Sequence, residues 1–125
     1  MKLNAGLVTE KLDESKTFYT QQLGFQVIFE NDFYLLLQTP NKQHEISFLK
    51  PHHPSQHPIF HAPYQGHGLY LTIEVDNVDQ LYQTIKAQGI PILQDLQNED
   101  WGDRHFIIQD PNQLPIDLVT HSSPN

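Results

Sequence analysis

Cysteine is absent from this 125-residue chain, and basic residues are few. Without cysteine, the protein can form no disulfide, has no thiol nucleophile and cannot bind a metal through sulfur. Seven lysines and arginines stand against fifteen aspartates and glutamates, which gives a net charge of −8. Nucleic-acid phosphates would be repelled, because binding them requires basic clusters that this sequence lacks. We therefore predict no nucleic-acid partner.

Long apolar runs are also missing, so no segment has the length of a membrane span. The apolar residues at the N-terminus are interrupted at once by charged residues, which is not the pattern of a signal peptide. We therefore predict a cytoplasmic protein with no membrane partner.

The acidic residues are unevenly distributed along the chain. Residues 1–65 hold five basic and six acidic side chains, whereas residues 66–125 hold two basic and nine acidic ones. The second half therefore carries a net charge of −7, which would attract a cationic ligand. The alternative is a merely solubilising acidic surface.

The hydrophobic pattern predicts the same order of elements twice: a strand, a helix and three strands. In the first half these are a strand at Leu3–Val8, a helix at about Glu14–Leu23 capped by Asp13, and strands at Phe25–Glu30, Phe33–Thr39 and about His44–Leu49. In the second half they are a strand at Leu69–Val75, a helix from its cap Asn77 to about Gln88, a strand at Ile90–Leu96, and a hairpin over Trp101–Val119. The hairpin turns at Asp110–Gln113, where Asn112 tolerates a left-handed backbone.

Four prolines exclude regular structure between residues 51 and 67, and we predict a connecting loop there. Its histidines are His52, His53, His57, His61 and His67. The loop could be solvated and pH-sensitive, could bind a metal, or could act as a lid. One short helix cannot cover a whole sheet, so we expect the two modules to pair and share one sheet. We predict a single α+β domain, with module 1 at about 1–50, the loop at 51–67 and module 2 at about 68–121.

Two segments carry a resemblance to a known family: LDESKTFYTQQLGFQVI (12–28) and WGDRHFIIQDPNQLPIDL (101–118). With the βαβββ duplication, they resemble the vicinal oxygen chelate superfamily of glyoxalase I, extradiol dioxygenases and bleomycin-resistance proteins, the last being nearest. The matching residues are Trp101, Gly102, Arg104, Phe106, Asp110, Pro111 and Asp117. Gln113 replaces the usual turn glycine, and Pro115 predicts a bulged or edge strand. The resemblance implies a cupped, mostly antiparallel mixed sheet with the ligand on its concave face, and a homodimer.

Metal-using members of this family place one ligand on each of four strands. The resemblance puts Asn4, Ser47, Tyr70 and Asp117 at those positions, and strand alternation also sets them opposite the apolar residues. A divalent catalytic metal prefers histidine and carboxylate ligands, and only Asp117 is a good one. We therefore predict no metal and no cofactor at this place. Tyr70 and Asp117 would instead orient an organic ligand, or bond to each other in an idle cavity.

Residues near the hairpin complete the predicted ligand-binding set of Asn4, Ser47, Tyr70, Trp101, His105 and Asp117. Trp101, the only tryptophan, could stack on a planar ligand or pack the base of the hairpin. His105 and Phe106 alternate, so only one of them faces the cavity, and we assign that place to the histidine. Arg104 is predicted to pair with Asp103 or Asp100.

These features predict a metal-free small-molecule-binding protein of the bleomycin-resistance type, which sequesters a cationic or planar compound. The alternative is a glyoxalase-like lyase or isomerase, or a dioxygenase-related enzyme, with Asp117 as base and Asn4 and Tyr70 as hydrogen-bond donors. A third possibility is a regulatory module with no ligand. The sequence leaves the identity of the ligand open.

Overall fold

The computed structural model describes residues 1–121, and the contacts within the chain divide it into two compact units. The first unit spans Met1–Gln65, and the second begins at Gly66. Both follow the order strand, helix and three strands, so the predicted α+β class with two βαβββ modules is confirmed. The described residues include no helix that is both long and apolar enough to cross a membrane.

The first unit consists of β1 (Asn4–Val8), α1 (Leu12–Leu23), β2 (Gln26–Glu30), β3 (Tyr34–Gln38) and β4 (Glu45–Leu49). Its sheet has the order β1-β4-β3-β2, in which β1 and β4 are parallel and the other pairs are antiparallel. Helix α1 packs on one face of this sheet, where the buried ring of Tyr19 lies 5.3 Å from that of Phe48. This sheet is mixed and mostly antiparallel, as predicted. The expectation that both modules share one sheet is wrong, because the strands of the second unit form a four-stranded sheet of their own.

Helix α1 begins at Leu12, and its N-cap Lys11 makes no side-chain capping bond. The predicted capping by Asp13 is wrong, because Asp13 already lies within the first turn, where its charge complements the helix dipole. The hydroxyl of Thr9 instead accepts a hydrogen bond from the Lys11 amide at 2.9 Å. The helix ends at Leu23, as predicted, and its C-cap Gly24 has a left-handed backbone with φ of 72°.

The second unit consists of β5 (Leu71–Glu74), α2 (Val78–Ala87), β6 (Gln94–Asn98), β7 (Asp103–Gln109) and β8 (Pro115–His121). Its sheet has the order β5-β8-β7-β6, with β5 and β8 parallel and the other pairs antiparallel. Asn77 caps α2 as predicted, because its side chain accepts a hydrogen bond from the Gln80 amide at 3.1 Å. The ring of Tyr82 packs edge-on against Phe106 with 5.2 Å between centroids, which fixes α2 against one face of this sheet.

Strand β6 starts later than predicted, at Gln94 rather than Ile90. Pro91 carries no N–H and cannot donate to the ladder. Pairing with β7 begins near Leu93, whose amide donates to the Ile107 carbonyl at 2.8 Å.

The turn between β7 and β8 is built on the buried carboxylate of Asp110. Asp110 Oδ1 accepts hydrogen bonds from the amides of Asn112 at 2.7 Å and Leu114 at 3.0 Å. The Gln113 amide donates to the Asp110 carbonyl at 3.0 Å, which closes the predicted turn. The left-handed backbone falls on Gln113, with φ of 63°, and not on Asn112 as predicted.

Pro115 is the first residue of β8, and the expectation of a bulged or edge strand is wrong. Strand β8 lies between β5 and β7, and it pairs with β7 in continuous register from Asp103↔His121 to Gln109↔Pro115. Pairing with β5 starts one residue later, at Ile116. The missing N–H of the proline therefore falls at the start of the strand, where a sheet tolerates it.

The stretch 51–67 is irregular apart from a short 3-10 helix over Pro58–Phe60. It follows β4, and its contacts place residues 51–65 with the first unit. The Tyr64 amide, for example, donates to the Val8 carbonyl at 2.9 Å.

Candidate functional site

Alternation along β7 and β8 puts four titratable side chains on the face of the second sheet opposite Phe106. Phe106 packs against Tyr82 of α2, so its neighbour His105 points to the opposite face. Asp103 shares this face with His105, and Asp117 and His121 of β8 meet them there. We call this surface the helix-distal face of the second sheet.

His105 lies between two carboxylates on this face. Its Nδ1 is 2.7 Å from Asp117 Oδ1, and its Nε2 is 3.1 Å from Glu99 Oε1. The side chain of His105 is 12% exposed, against 29% for Asp117 and 18% for Glu99. Bonds of this kind are strongest when the imidazole is charged and donates from both nitrogens.

His121, at the end of β8, also lies near two carboxylates but is more exposed, at 46%. Its Nδ1 lies 2.5 Å from Asp103 Oδ1, and its Nε2 lies 3.7 Å from Glu74 Oε2. The other oxygen of Asp103 accepts a hydrogen bond from the Trp101 indole N–H at 3.0 Å. Asp103 therefore connects the only tryptophan to the second histidine.

The carboxylates raise the pKa of both histidines. For His121, the hydrogen bond to Asp103 is the main cause and outweighs partial burial. For His105, burial is the largest single influence and lowers the pKa, but the bonds to Glu99 and Asp117 together outweigh it. Both rings therefore retain their protons to higher pH than a free imidazole does.

Two of the partner carboxylates have lowered pKa values. The pKa of Asp103 falls mainly through the hydrogen bond from His121, followed by that from Trp101. The pKa of Glu99 falls mainly through the hydrogen bond from Gln97, and next through that from His105. We call the group of four acids and two histidines the carboxylate–imidazole cluster; it comprises Glu74, Glu99, Asp103, His105, Asp117 and His121.

Trp101 lies in the short connection between β6 and β7, and 61% of its surface is exposed. Its one polar atom is bonded to Asp103, so most of the ring is open to a partner. The structure thus brings His105 and Asp117 into direct contact and places Trp101 one hydrogen bond from the same cluster.

The remaining predicted site residues are Tyr70, Asn4 and Ser47. Tyr70 precedes β5 and is 68% exposed. Asn4 and Ser47 belong to the first unit, where Ser47 is buried and its hydroxyl lies 3.5 Å from the Ala5 carbonyl. Their part in ligand binding stays a prediction.

Glu74, Asp103, Glu99 and His121 were not predicted as site residues. Alternation could have found two of them, since Asp103 lies two residues before His105, and His121 lies four after Asp117. Glu99 could not have been found in this way, because it follows the end of β6 and reaches His105 from a turn.

Arg104 pairs with a different acid from those predicted. Its Nε and terminal nitrogen donate to Asp79 at 2.9 and 2.7 Å, on the helix-facing side of β7. The predicted pairing with Asp103 or Asp100 is wrong, because Arg104 and Asp103 are adjacent and point to opposite faces. The bidentate bond lowers the pKa of Asp79 and anchors the first turn of α2 to the sheet.

The loop histidines use their ring nitrogens locally. His57 Nδ1 accepts a hydrogen bond from the Ile59 amide at 3.1 Å, and His53 Nδ1 accepts one from the Ser55 amide at 3.2 Å. These lone pairs are therefore occupied in the neutral rings. Across residues 1–121, no group of three or more histidine and acidic side chains is arranged to hold a metal ion. A metal-free protein stays a prediction.

A groove of about 370 Å³ lies in the first unit, beside the start of α1. Acids and lysines line it together, and Lys16 pairs with Glu30 at 2.9 Å. Five acids and two lysines line it in all, so this groove is also net negative.

Paired βαβββ modules, with polar side chains on the helix-distal face of the second sheet, define a class of small α+β proteins. The family model described as "Glyoxalase/Bleomycin resistance protein/Dioxygenase superfamily" matches residues 3–118. The chain belongs to this superfamily, and the predicted resemblance is confirmed.

Solved structures share the fold at low sequence identity. TnmS3, an antibiotic-binding protein from Streptomyces sp. CB03234, is 18% identical with a TM-score of 0.77, and the match covers 98% of this chain and 96% of that one. A lactoylglutathione lyase from Agrobacterium tumefaciens is 16% identical with a TM-score of 0.75, over 96% and 92% of the chains. A bleomycin-binding protein in complex with bleomycin is 19% identical with a TM-score of 0.70, over 98% and 99%. A search of curated proteins found no match.

Proposed function

We propose that the protein binds a cationic small organic molecule on the helix-distal face of its second sheet, without a metal. The carboxylate–imidazole cluster carries this proposal. With both rings protonated, its four acids still exceed its two histidines, so the face remains negative and attracts cations.

The exposed ring of Trp101 supplies the apolar part of the proposed site. An indole beside a negative cluster favours a ligand that is both planar and cationic, because the ring face attracts positive charge and stacks on flat groups. The exposure of Trp101 and Tyr70 leaves both rings accessible to such a ligand.

Similar structures support small-molecule binding as the activity. One is described as an antibiotic-binding protein and another was solved with bleomycin. Sequestration needs no catalytic group, so a bleomycin-like compound could be captured by charge and stacking alone. We place this activity in the cytoplasm.

A lyase or isomerase with Asp117 as the base receives less support. Asp117 Oδ1 is 2.7 Å from His105 Nδ1, so this oxygen is already engaged by the ring and is not free to take a proton from a substrate. The one observation in favour of this alternative is that a lactoylglutathione lyase shares the fold at 16% identity.

Titration with bleomycin tests the proposal. We expect heat in calorimetry, together with a change in Trp101 fluorescence at the same stoichiometry. Asp117→Asn should weaken binding about tenfold, because it removes one charge from the site. Asp95→Asn is the matched control: Asp95 lies on β6 of the same sheet but bonds to Tyr82 on the helix-facing side.

An absence of heat and of a fluorescence change at all concentrations would contradict the bleomycin form of this proposal. Equal losses in Asp117→Asn and Asp95→Asn would show that net charge matters and the helix-distal face does not.

A further inference from the structure

In each half of the carboxylate–imidazole cluster, a histidine lies where a cation would bind. His105 bridges Asp117 and Glu99 with both ring nitrogens. His121 bonds to Asp103 and lies 3.7 Å from Glu74, a looser contact at a more exposed ring. Each imidazolium therefore acts as a counter-ion that belongs to the protein.

The two histidines face acids from every strand of the second sheet or its connections. Glu99 follows β6, Asp103 lies on β7, Asp117 on β8 and Glu74 on β5. Gln94 of β6 adds a neutral contact 3.5 Å from His105 Nε2. Within the described part of this unit, the two rings make their polar contacts with these four acids and with Gln94, and Gln97 lies opposite His105 in the strand register.

We propose that a cationic ligand binds this face in exchange for protons, so that His105 and His121 become neutral as the ligand's charge replaces theirs. This inference rests on the proposed function, since it concerns the same site. The proton balance is simple: each imidazolium loses one N–H proton to the buffer, and the neutral ring keeps one N–H and one lone pair.

Exchange follows from electrostatics at short range. A positive group brought within contact distance of Asp117 or Asp103 also lies near the neighbouring imidazolium, and two like charges at such a distance repel. The carboxylates stabilise both the positive charge of the ligand and the proton on the ring. When the ligand binds, its charge therefore displaces that proton. By linkage, affinity then falls as pH falls, by up to tenfold per pH unit for each proton released.

Calorimetry with bleomycin in two buffers measures the exchange. At pH 7, titrations in Tris and in phosphate should give different apparent enthalpies, because each buffer takes up the released protons with a different heat. The difference should correspond to a net release of protons, with two per bleomycin as the upper limit. The affinity should also fall at least tenfold between pH 7.5 and pH 5.5.

Variants assign the protons to residues. His105→Gln and His121→Gln should each reduce the number released, and the double variant should reduce it to zero. His44→Gln is the matched control, because it removes an exposed histidine of the first unit. The pH dependence of the unmodified protein needs no variant, so the inference can be tested even if the double variant fails to fold.

The outcomes separate the two proposals. No binding between pH 5.5 and 8 would overturn the proposed function in its bleomycin form. Binding with equal enthalpies in both buffers and a pH-independent affinity would overturn proton exchange and leave the function standing. Proton release unchanged in a folded double variant would also overturn the exchange.

Discussion

His105 and Gln113 have different roles in the β7–β8 hairpin. His105 faces away from α2 and holds two carboxylates, whereas Gln113 shapes the turn that brings β7 and β8 together. Gln113 has φ of 63°, a conformation that glycine adopts freely and that residues with a Cβ resist. The turn is closed by Asp110, so Gln113 is held in this conformation by its surroundings.

Gln113→Gly should stabilise the protein by about 1 kcal/mol, because it removes the left-handed strain. Urea unfolding measures the free energy of unfolding. Gln113→Ala keeps the Cβ and should give no comparable gain. A lower free energy of unfolding for Gln113→Gly than for Gln113→Ala would contradict the claim that the backbone is strained at this position.

Among the elements, α2 is the one whose position bears most directly on the site. Asn77 caps its first turn, Arg104 anchors the same turn through Asp79, and Tyr82 packs on Phe106. These contacts fix the helix-facing side of β7, and strand geometry then fixes His105 on the other side. The order of side chains along one strand therefore links the core to the site.

Asn77→Ala should cost about 1 kcal/mol of stability, since it leaves the Gln80 amide without its cap. Thermal and urea unfolding would measure the loss. Asn77→Asp, which can accept the same hydrogen bond, should retain most of the stability. An Asn77→Ala protein as stable as the unmodified one would show that the cap contributes nothing.

Sequence patterns predicted the elements better than their ends. Alternation and the 3.6-residue period gave the eight strands and two α-helices of the described residues, but not the 3-10 helix at Pro58–Phe60, and they put His105 and Phe106 on opposite faces.

The partner of Arg104 was missed because it depends on a contact between residues 25 apart in the sequence. The starts of α1 and β6 were missed although Thr9 and Pro91 signal them locally. The link from Glu99 to His105 was missed because Glu99 reaches the ring from a turn.

The pH dependence of stability belongs to the whole molecule. His105 and His121 have raised pKa values. Their contribution to stability is therefore complete below the pKa of the unfolded state, about 6.5, and is lost as the pH rises through their folded pKa values. Asp79, Glu99 and Asp103 have lowered pKa values. Their contribution to stability is therefore present above about pH 4.5 and is lost as the pH falls through their folded pKa values.

We therefore expect the free energy of unfolding to be greatest between about pH 4.5 and 6.5. Unfolding in urea from pH 4 to 8.5 would show the optimum. The decline above pH 6.5 should flatten in the variant with both His105→Gln and His121→Gln, and it should persist in His44→Gln. A stability that rises steadily up to pH 8.5 would contradict the assignment.

We propose that the protein forms a homodimer. Strand β2 forms one edge of the first sheet and exposes Val27, Ile28 and Phe29, the last of them 52% exposed. An apolar edge strand is a liability unless another chain covers it, and we propose a second copy as the cover.

Sedimentation velocity should show a dimer that Phe29→Lys converts to a monomer, because a buried lysine would oppose association. Ile59→Lys is the control, since Ile59 is exposed at a site distant in sequence from β2. A monomeric unmodified protein at all concentrations would contradict the proposal.

The most direct test of the central claim is a map of where the ligand binds. The chain has eight histidines, six of them before residue 68 and two in the carboxylate–imidazole cluster. Imidazole NMR signals recorded during a bleomycin titration at pH 7 would report on all eight at once. We predict large shifts for His105 and His121, with little change in the other six. Shifts confined to the histidines of residues 44–67, with His105 and His121 unmoved, would contradict a site on the helix-distal face of the second sheet.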